Sequence, residues 1–215
     1  MRVLVACEFS GIVRDAFRER GHDAVSVDLL PTERPEGPHH QADVLNLLSW
    51  HSGWDLMIAH PPCTYLANSG VRWLYKDGEP DEDRWLRMAD SAEFFRALLH
   101  APIPRIAVEN PIMHKYAREI VGRGPDQYVQ PWQYGHPETK ATGLWLKNLP
   151  LLEPINIVDG REPRVHHASP GPDRWKERSR TLPGLADAMA DQWGGVTADL
   201  ADMNTAGGHE HWGAA

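Results

Sequence analysis

Apolar residues fall along this chain in two rhythms, and the alternation between them predicts its architecture. "RVLVAC" at 2 to 7 is a short, β-branched apolar run of the buried-strand kind. After "EFSG" the period lengthens, with Ile12, Val13, Ala16 and Phe17 on one side of a helix that Gly21 is placed to end. "HDAVSVD" at 22 to 28 reads as the next strand, which completes a right-handed β-α-β unit. Further strands are expected at 55 to 59, 105 to 109 and 143 to 147. From 83 to 100, Trp85, Met88, Ala92, Phe95 and Leu99 recur at helical spacing and read as core packing. Strands alternating with helices predict an α/β fold, a Rossmann-like doubly wound, mostly parallel sheet covered by helices. Two stretches, 29 to 41 and 149 to 179, are rich in Pro, Gly and charge and read as irregular. The small, polar composition from about Thr197 onward reads as a flexible tail. There is no internal repeat.

Composition narrows the class. A chain of 215 residues, 41% hydrophobic and 24% charged, is sized for one soluble catalytic-scale domain, here expected over 1 to 196. No apolar run is long enough to cross a bilayer, and "MRVLVACEFSG" does not read as a signal peptide, so a cytoplasmic location without a membrane partner is expected. Cys7 and Cys63 sit in different apolar segments and cannot build a disulfide framework. Histidine is abundant, with pairs at His39-His40 and His166-His167 and a terminal "HEHW", but no spacing matches a zinc site, and no metal is expected. A net charge of -8 argues against a protein that coats nucleic acid through charge alone. One stretch departs from that average. Between 161 and 180, Arg161, Arg164, Arg174, Lys176, Arg178 and Arg180 outnumber Glu162, Asp173 and Glu177, which marks either a solvated face or a phosphate-contacting one.

In a sheet of this kind, ligands collect at the carboxyl ends of the strands near the switch point. Those ends carry Cys7-Glu8-Phe9-Ser10-Gly11, Asp28, Cys63 and Glu109-Asn110-Pro111. A glycine in the first turn admits a ligand to the backbone, and an acid about 20 residues on can bind ribose hydroxyls, roles open to Gly11 and Asp28. Asp43 in "QADVLNL" suits a ligand contact or a helix cap. The strand at 55 to 59 stops on "HPPCTY", where two prolines display Cys63 on a stiff turn. Cys63 is then either a small buried hydrophobe or a nucleophile. A thiolate adds to electron-poor carbon, and a carboxyl such as Glu109 can protonate the ring nitrogen that gains charge. Burial is expected to raise the Glu109 pKa for that role; the alternative is an arginine partner for Glu109 that holds a loop.

These segments resemble the DNA cytosine-5 methyltransferase family. "DLMIAHPPCTYLANSG" is similar to its Pro-Cys catalytic loop, "RIAVENP" to its Glu-Asn-Val motif with Pro111 for valine, and "VACEFSGIVRDAF" to its cofactor motif with Val13 and Arg14 where glycines are usual. "YGHPETK" at 134 to 140 and "RSRTLPGLADAMADQW" at 178 to 193 follow in the family's order. Three departures stand out. Glu138-Thr139-Lys140-Ala141-Thr142 keeps one basic side chain where two are usual; the segment 149 to 179 is short where a large target-recognition domain is usual; and Arg178-Ser179-Arg180 replaces a Gly-Asn. The compact form looks like those encoded by bacteriophages.

The resemblance implies the class I S-adenosylmethionine-dependent methyltransferase fold and S-adenosylmethionine as cofactor. Phe9 would stack on adenine, with Ser10, Gly11 and Pro61 beside the cofactor, Asp28 on the ribose and Asp43 at the adenine amino group. Cys63 would add to C6 of a cytosine flipped out of DNA, with Glu109, Asn110 and Lys140 completing the catalytic set. Ser69 and Arg72, on a lid at 64 to 76, together with Arg174, Lys176 and Arg178, would meet the DNA. Arg180 near the sulfonium raises carboxymethyl, delivered from a carboxylated S-adenosylmethionine, as the alternative to methyl. Two further readings stay open: the same chemistry on a free cytidine nucleotide, and a catalytically silent cofactor-binding subunit.

Overall fold

The computed structural model describes residues 1–164, 171 and 174–196. The His166-His167 pair, Asp173 and the tail from Thr197 lie outside the described residues. In chain order the elements are β1 (Arg2–Ala6), α1 (Ile12–Glu19), β2 (Asp23–Asp28), β3 (His39–Gln41), α2 (Val44–Trp50), β4 (Leu56–Ala59), a 3-10 segment (Asn68–Leu74), β5 (Tyr75–Lys76), β6 (Glu79–Pro80), α3 (Glu82–Leu99), β7 (Arg105–Pro111), α4 (Lys115–Val121), β8 (Gln127–Val129), β9 (Thr142–Lys147), α5 (Arg174–Ser179) and α6 (Pro183–Trp193). Seven strands form one sheet in the order β3-β2-β1-β4-β7-β9-β8. β9 runs antiparallel to both neighbours, and the other pairings are parallel. The chain winds outward from β1 to β3, then returns to β4 and winds the other way, so the switch point lies between β1 and β4. This is the Rossmann-like, doubly wound, mostly parallel sheet that the sequence leads one to expect.

The pleat explains why the central strands are apolar throughout. Val3 and Val5 of β1 and Leu56 and Ile58 of β4 face one side, where Val13 and Phe17 of α1 and Ala186 and Met189 of α6 cover them. Leu4, Ala6, Met57 and Ala59 face the other, against α2, α3 and α4. On that side the Phe95 ring meets the fully buried Trp145 edge-on at 4.9 Å, a geometry that adds roughly 1 kcal/mol to the area both rings bury. Local signals set the helix ends. Gly21 takes the left-handed φ of 81° just beyond α1, and the Asp81 side chain accepts from the Arg84 amide to start α3.

The irregular stretches hold more structure than their composition predicts. The stretch 29 to 41 ends in β3, whose His39 pairs with Ser26 in parallel register. The stretch 149 to 179 ends in α5, and before it Asn156 and Glu162 bridge to Tyr134 and Glu138. The segment after Cys63 is anchored rather than open. Leu66, Ala67 and Leu74 are buried in it, and Ala67 bridges to Met113. A tight Asp77-Gly78 turn, both residues at positive φ, then joins β5 to β6.

Candidate active site

The switch point gathers residues far apart in sequence at one end of the sheet. β1 ends at Ala6, and Cys7 adopts φ 56°, a left-handed conformation costly for a residue with a Cβ. Glu8, 4% exposed, turns back under the start of α1 and accepts from the amides of Val13 (2.7 Å) and Arg14 (3.2 Å) and from the Ser10 hydroxyl (3.2 Å). Ser10 is thus turned toward Glu8. Gly11 has φ 72°, and a Cβ there would lie 2.6 Å from the Arg14 guanidinium. Phe9 is buried, and its ring lies 5.9 Å from that of the exposed Trp175 on α5. Asp28 at the end of β2 accepts from the Leu30 amide, and burial pushes its carboxyl up. Asp43 is the N-cap of α2, accepting from the Leu45 amide at 2.8 Å, which realises the cap reading. Burial, with help from Asp28 and Asp43, pushes the Cys7 thiol up to about 12, which disfavours its thiolate.

The Pro-Cys turn follows β4. The His60 amide donates to the Ala6 carbonyl at 2.9 Å, Pro61 is buried, and the Cys63 carbonyl accepts from the amides of Leu66 and Ala67. Burial raises the Cys63 thiol, with the Glu109 carboxylate adding to the shift, while Lys140 and Arg178 oppose it. Cys63 is therefore a resting thiol within electrostatic reach of Glu109, Lys140 and Arg178.

Glu109 corrects the expectation of a raised pKa. Burial pushes its carboxyl up, but His60, with Nδ1 3.7 Å from Oε1, and Lys140 outweigh burial and hold it below the ordinary carboxylate value. Its partner is a histidine, not the arginine considered from sequence. Glu109, Lys140 and Thr142 line a small cavity with Gln130, Thr181 and Leu182. Asn110 is fully buried; its Nδ2 donates to the Pro111 carbonyl at 2.7 Å, and its Oδ1 has no partner among the described residues. Lys140 Nζ donates to the Arg180 carbonyl at 3.4 Å, which ties it to the chain just before α6.

The remaining basic residues divide. Ser69 and Arg72 are exposed on the 3-10 segment, and the Arg72 guanidinium stacks 4.5 Å from the Trp73 ring. On α5, Arg178 acts on Cys63, Lys176 lies near Glu33 and the Trp175 ring, and Arg174 is half-buried. Arg180 makes a two-pronged pair with Glu33, at 2.9 and 2.6 Å.

Sequence reasoning missed three residues that shape this end of the sheet. Arg14 is a fully buried arginine whose guanidinium donates to the Arg34 carbonyl (2.9 Å), the Gly37 carbonyl (3.4 Å) and the Ser26 hydroxyl (3.3 Å), pinning the loop after β2 over α1. Glu33 holds that same loop to Arg180, and His60 sits between Glu8 and Glu109. An arginine where the cofactor motif has glycine was the one available signal. Among the described residues no group of three or more His, Cys, Asp or Glu could hold a metal ion, and no helix is long and apolar enough to cross a membrane.

No protein-family model matches the chain, and no curated protein matches it. Among solved structures, it is similar to a prophage-encoded protein of E. coli described as a DNA modification methyltransferase, at 16% identity and a TM-score of 0.46, over 74% of this chain and 52% of that one. It is also similar to a methyltransferase of Entamoeba histolytica, at 13% identity and a TM-score of 0.45, over 80% of this chain and 60% of that one. The chain thus spans about half the length of the first and three-fifths of the second.

Proposed function

We propose that the protein is a cytosine-C5 methyltransferase acting on DNA, with Cys63 as the nucleophile. The observation that carries the reading is the convergence of Cys63 from the β4 end, Glu109 from the β7 end, Lys140 from the β9 approach and Arg178 from α5 within electrostatic reach of one another. Perturbed titratable groups that meet at the carboxyl ends of a doubly wound sheet mark a candidate functional site.

S-adenosylmethionine, when bound, would supply an electrophilic methyl group. This end of the sheet suits a cofactor of net positive charge, because Asp28, Asp43 and Glu109 lie at it and Arg180 of the closing motif is already paired with Glu33. Asp28 would hold the ribose and Phe9 one edge of the adenine pocket, beside Ser10, Gly11 and Pro61. Cys63 adds to C6 of the cytosine once its proton is lost. The positive charges of Lys140 and Arg178 favour that ionisation against the burial that opposes it. Glu109 faces N3 and the exocyclic amine of the base, and Asn110 fixes the backbone beside it. Arg72, stacked on Trp73, and Arg174 and Lys176 of α5 would meet phosphate and an unstacked base.

The test offers labelled cofactor with duplex DNA, single-stranded DNA or dCMP, followed by mass spectrometry of the nucleosides. We expect 5-methylcytosine from DNA, a covalent adduct with 5-fluorocytosine DNA, and loss of both in Cys63→Ser, whose hydroxyl is a far weaker nucleophile. Product from dCMP alone would move the substrate to the free nucleotide. A carboxymethyl product lost in Arg180→Ala would move the transferred group. Cofactor binding without product in any arm leaves the silent-subunit reading.

A further inference from the structure

Two of the histidines that pack near the sheet, His39 and His114, are satisfied in the ordinary way. His39 uses Nδ1 with the Ser26 hydroxyl and Nε2 with the Leu30 carbonyl, both at 2.9 Å. His114 uses Nε2 with the Tyr65 carbonyl at 2.9 Å and Nδ1 with the Ala117 amide at 3.2 Å. His60 uses neither. Its side chain is 7% exposed, and neither ring nitrogen has a hydrogen-bond partner among the described residues. Its backbone is fixed between β1 and β4 by the bond to the Ala6 carbonyl. The groups that face it are Glu8 from the β1 turn, Asp28 from the β2 end and Glu109 from β7, with Lys140 and Cys63 beyond Glu109. A neutral, unpartnered imidazole buried here would leave two polar atoms unsatisfied. A protonated one is attracted to three carboxyl groups at once.

We propose that His60 is a positioning residue that holds the proton Glu109 hands to the target base. The inference rests on the cytosine reading above. As the Cys63 sulfur bonds to C6, the displaced electron pair moves toward N3, which takes the proton of the Glu109 carboxyl. Glu109 receives that proton from His60 Nδ1, which lies 3.7 Å from its Oε1 and closes that gap by a small ring rotation. When C5 takes up the one-carbon group, N3 returns the proton to Glu109 and Glu109 returns it to His60; loss of the C5 proton to solvent then breaks the C6–S bond, expels the Cys63 thiolate and restores the 5,6 double bond. Glu109 needs such a partner because its own carboxyl is held below the ordinary range and is ionised at neutral pH, with no proton to give. Burial raises the Glu8 carboxyl, and His60 opposes that shift.

The test compares wild type with His60→Gln and His60→Asn, which keep hydrogen-bonding capacity but cannot carry the proton. We expect turnover above neutral pH to fall about 10²-fold in the variants, which then depend on the proton that burial lets Glu109 keep, and the alkaline limb of the kcat-pH profile to move to lower pH, with KM little changed. A second readout does not depend on turnover. Difference infrared spectroscopy follows the Glu109 carboxyl band, assigned by its absence in Glu109→Gln. The wild type should show carboxylate at pH 6, and the His60 variants a protonated carboxyl there. Unchanged pH profiles with an unchanged band overturn the proposal. If neither variant folds, a wild-type Glu109 found protonated at neutral pH overturns it just as surely, and an ionised one upholds the need for a separate donor. A wild type that modifies no cytosine sinks the function while leaving the infrared coupling of His60 to Glu109 still measurable.

Discussion

Arg14→Ala combined with Gly37→Ala probes the buried guanidinium that organises the cofactor end of the sheet. Arg14 is fully buried and donates to the Arg34 and Gly37 carbonyls, the Ser26 and Thr32 hydroxyls and the Asp15 carboxylate. Removing it leaves those acceptors without their donor and opens a cavity, at a cost of about 4 kcal/mol, within the range for breaking a buried charged network. With a urea m-value of about 2 kcal/mol per M, the midpoint should fall by about 2 M. A Cβ on Gly37 would sit 2.4 Å from the Arg14 Cζ, and Arg14 is too tightly bonded to yield, so Gly37→Ala alone should cost about 1–3 kcal/mol. With Arg14 already truncated the same alanine has room. There it should be neutral or stabilise by about 0.5 kcal/mol through the unfolded chain, because Gly37 does not occupy the left-handed region. The two changes should therefore couple by about 2 kcal/mol. The nine tryptophans make fluorescence-monitored urea unfolding a direct assay. Costs that add to within about 0.5 kcal/mol would refute the idea that Arg14 is what excludes a side chain at position 37.

Gly184→Ala should be severe, because a Cβ there would lie 1.9 Å from the Tyr134 carbonyl oxygen; we expect roughly 3 kcal/mol of destabilisation by urea unfolding, with α6 displaced. Asp43→Ala should cost about 1 kcal/mol in the same assay through loss of the α2 cap. The depressed Glu109 carboxyl contributes stability that is present above the ordinary carboxylate range and is lost as pH falls through its folded value. The urea midpoint should accordingly drop more steeply from pH 6 to pH 3 in wild type than in Glu109→Gln. Iodoacetamide at pH 8 should leave Cys7 unmodified in the folded protein, since a thiol near 12 is only about one part in 10⁴ thiolate there.

Much of the scaffold could be read along the chain because its signals are local. The unbroken apolar runs of β1 and β4 follow from burial on both faces, the period of α1 and α3 from burial on one, and Gly21 and Asp43 from the geometry of helix ends. The order of strand ends also placed Cys63 and Glu109 at one edge before any coordinates, since a doubly wound sheet delivers all its parallel carboxyl ends to the same side. What resisted was whatever is held only by distant partners. β3 is the polar tripeptide His39-His40-Gln41, a strand only because β2 lies beside it. The helix α5 sits in a Pro- and Gly-rich stretch and is held where Trp175 meets Phe9. The sign of the Glu109 shift was decided in the same way. Burial, which composition and position foretell, pushes that carboxyl up; the approach of His60 and Lys140, which only the folded chain brings about, reverses it. Propensity and periodicity act over a few residues, whereas the charge that a buried group feels is summed over every strand end packed around it.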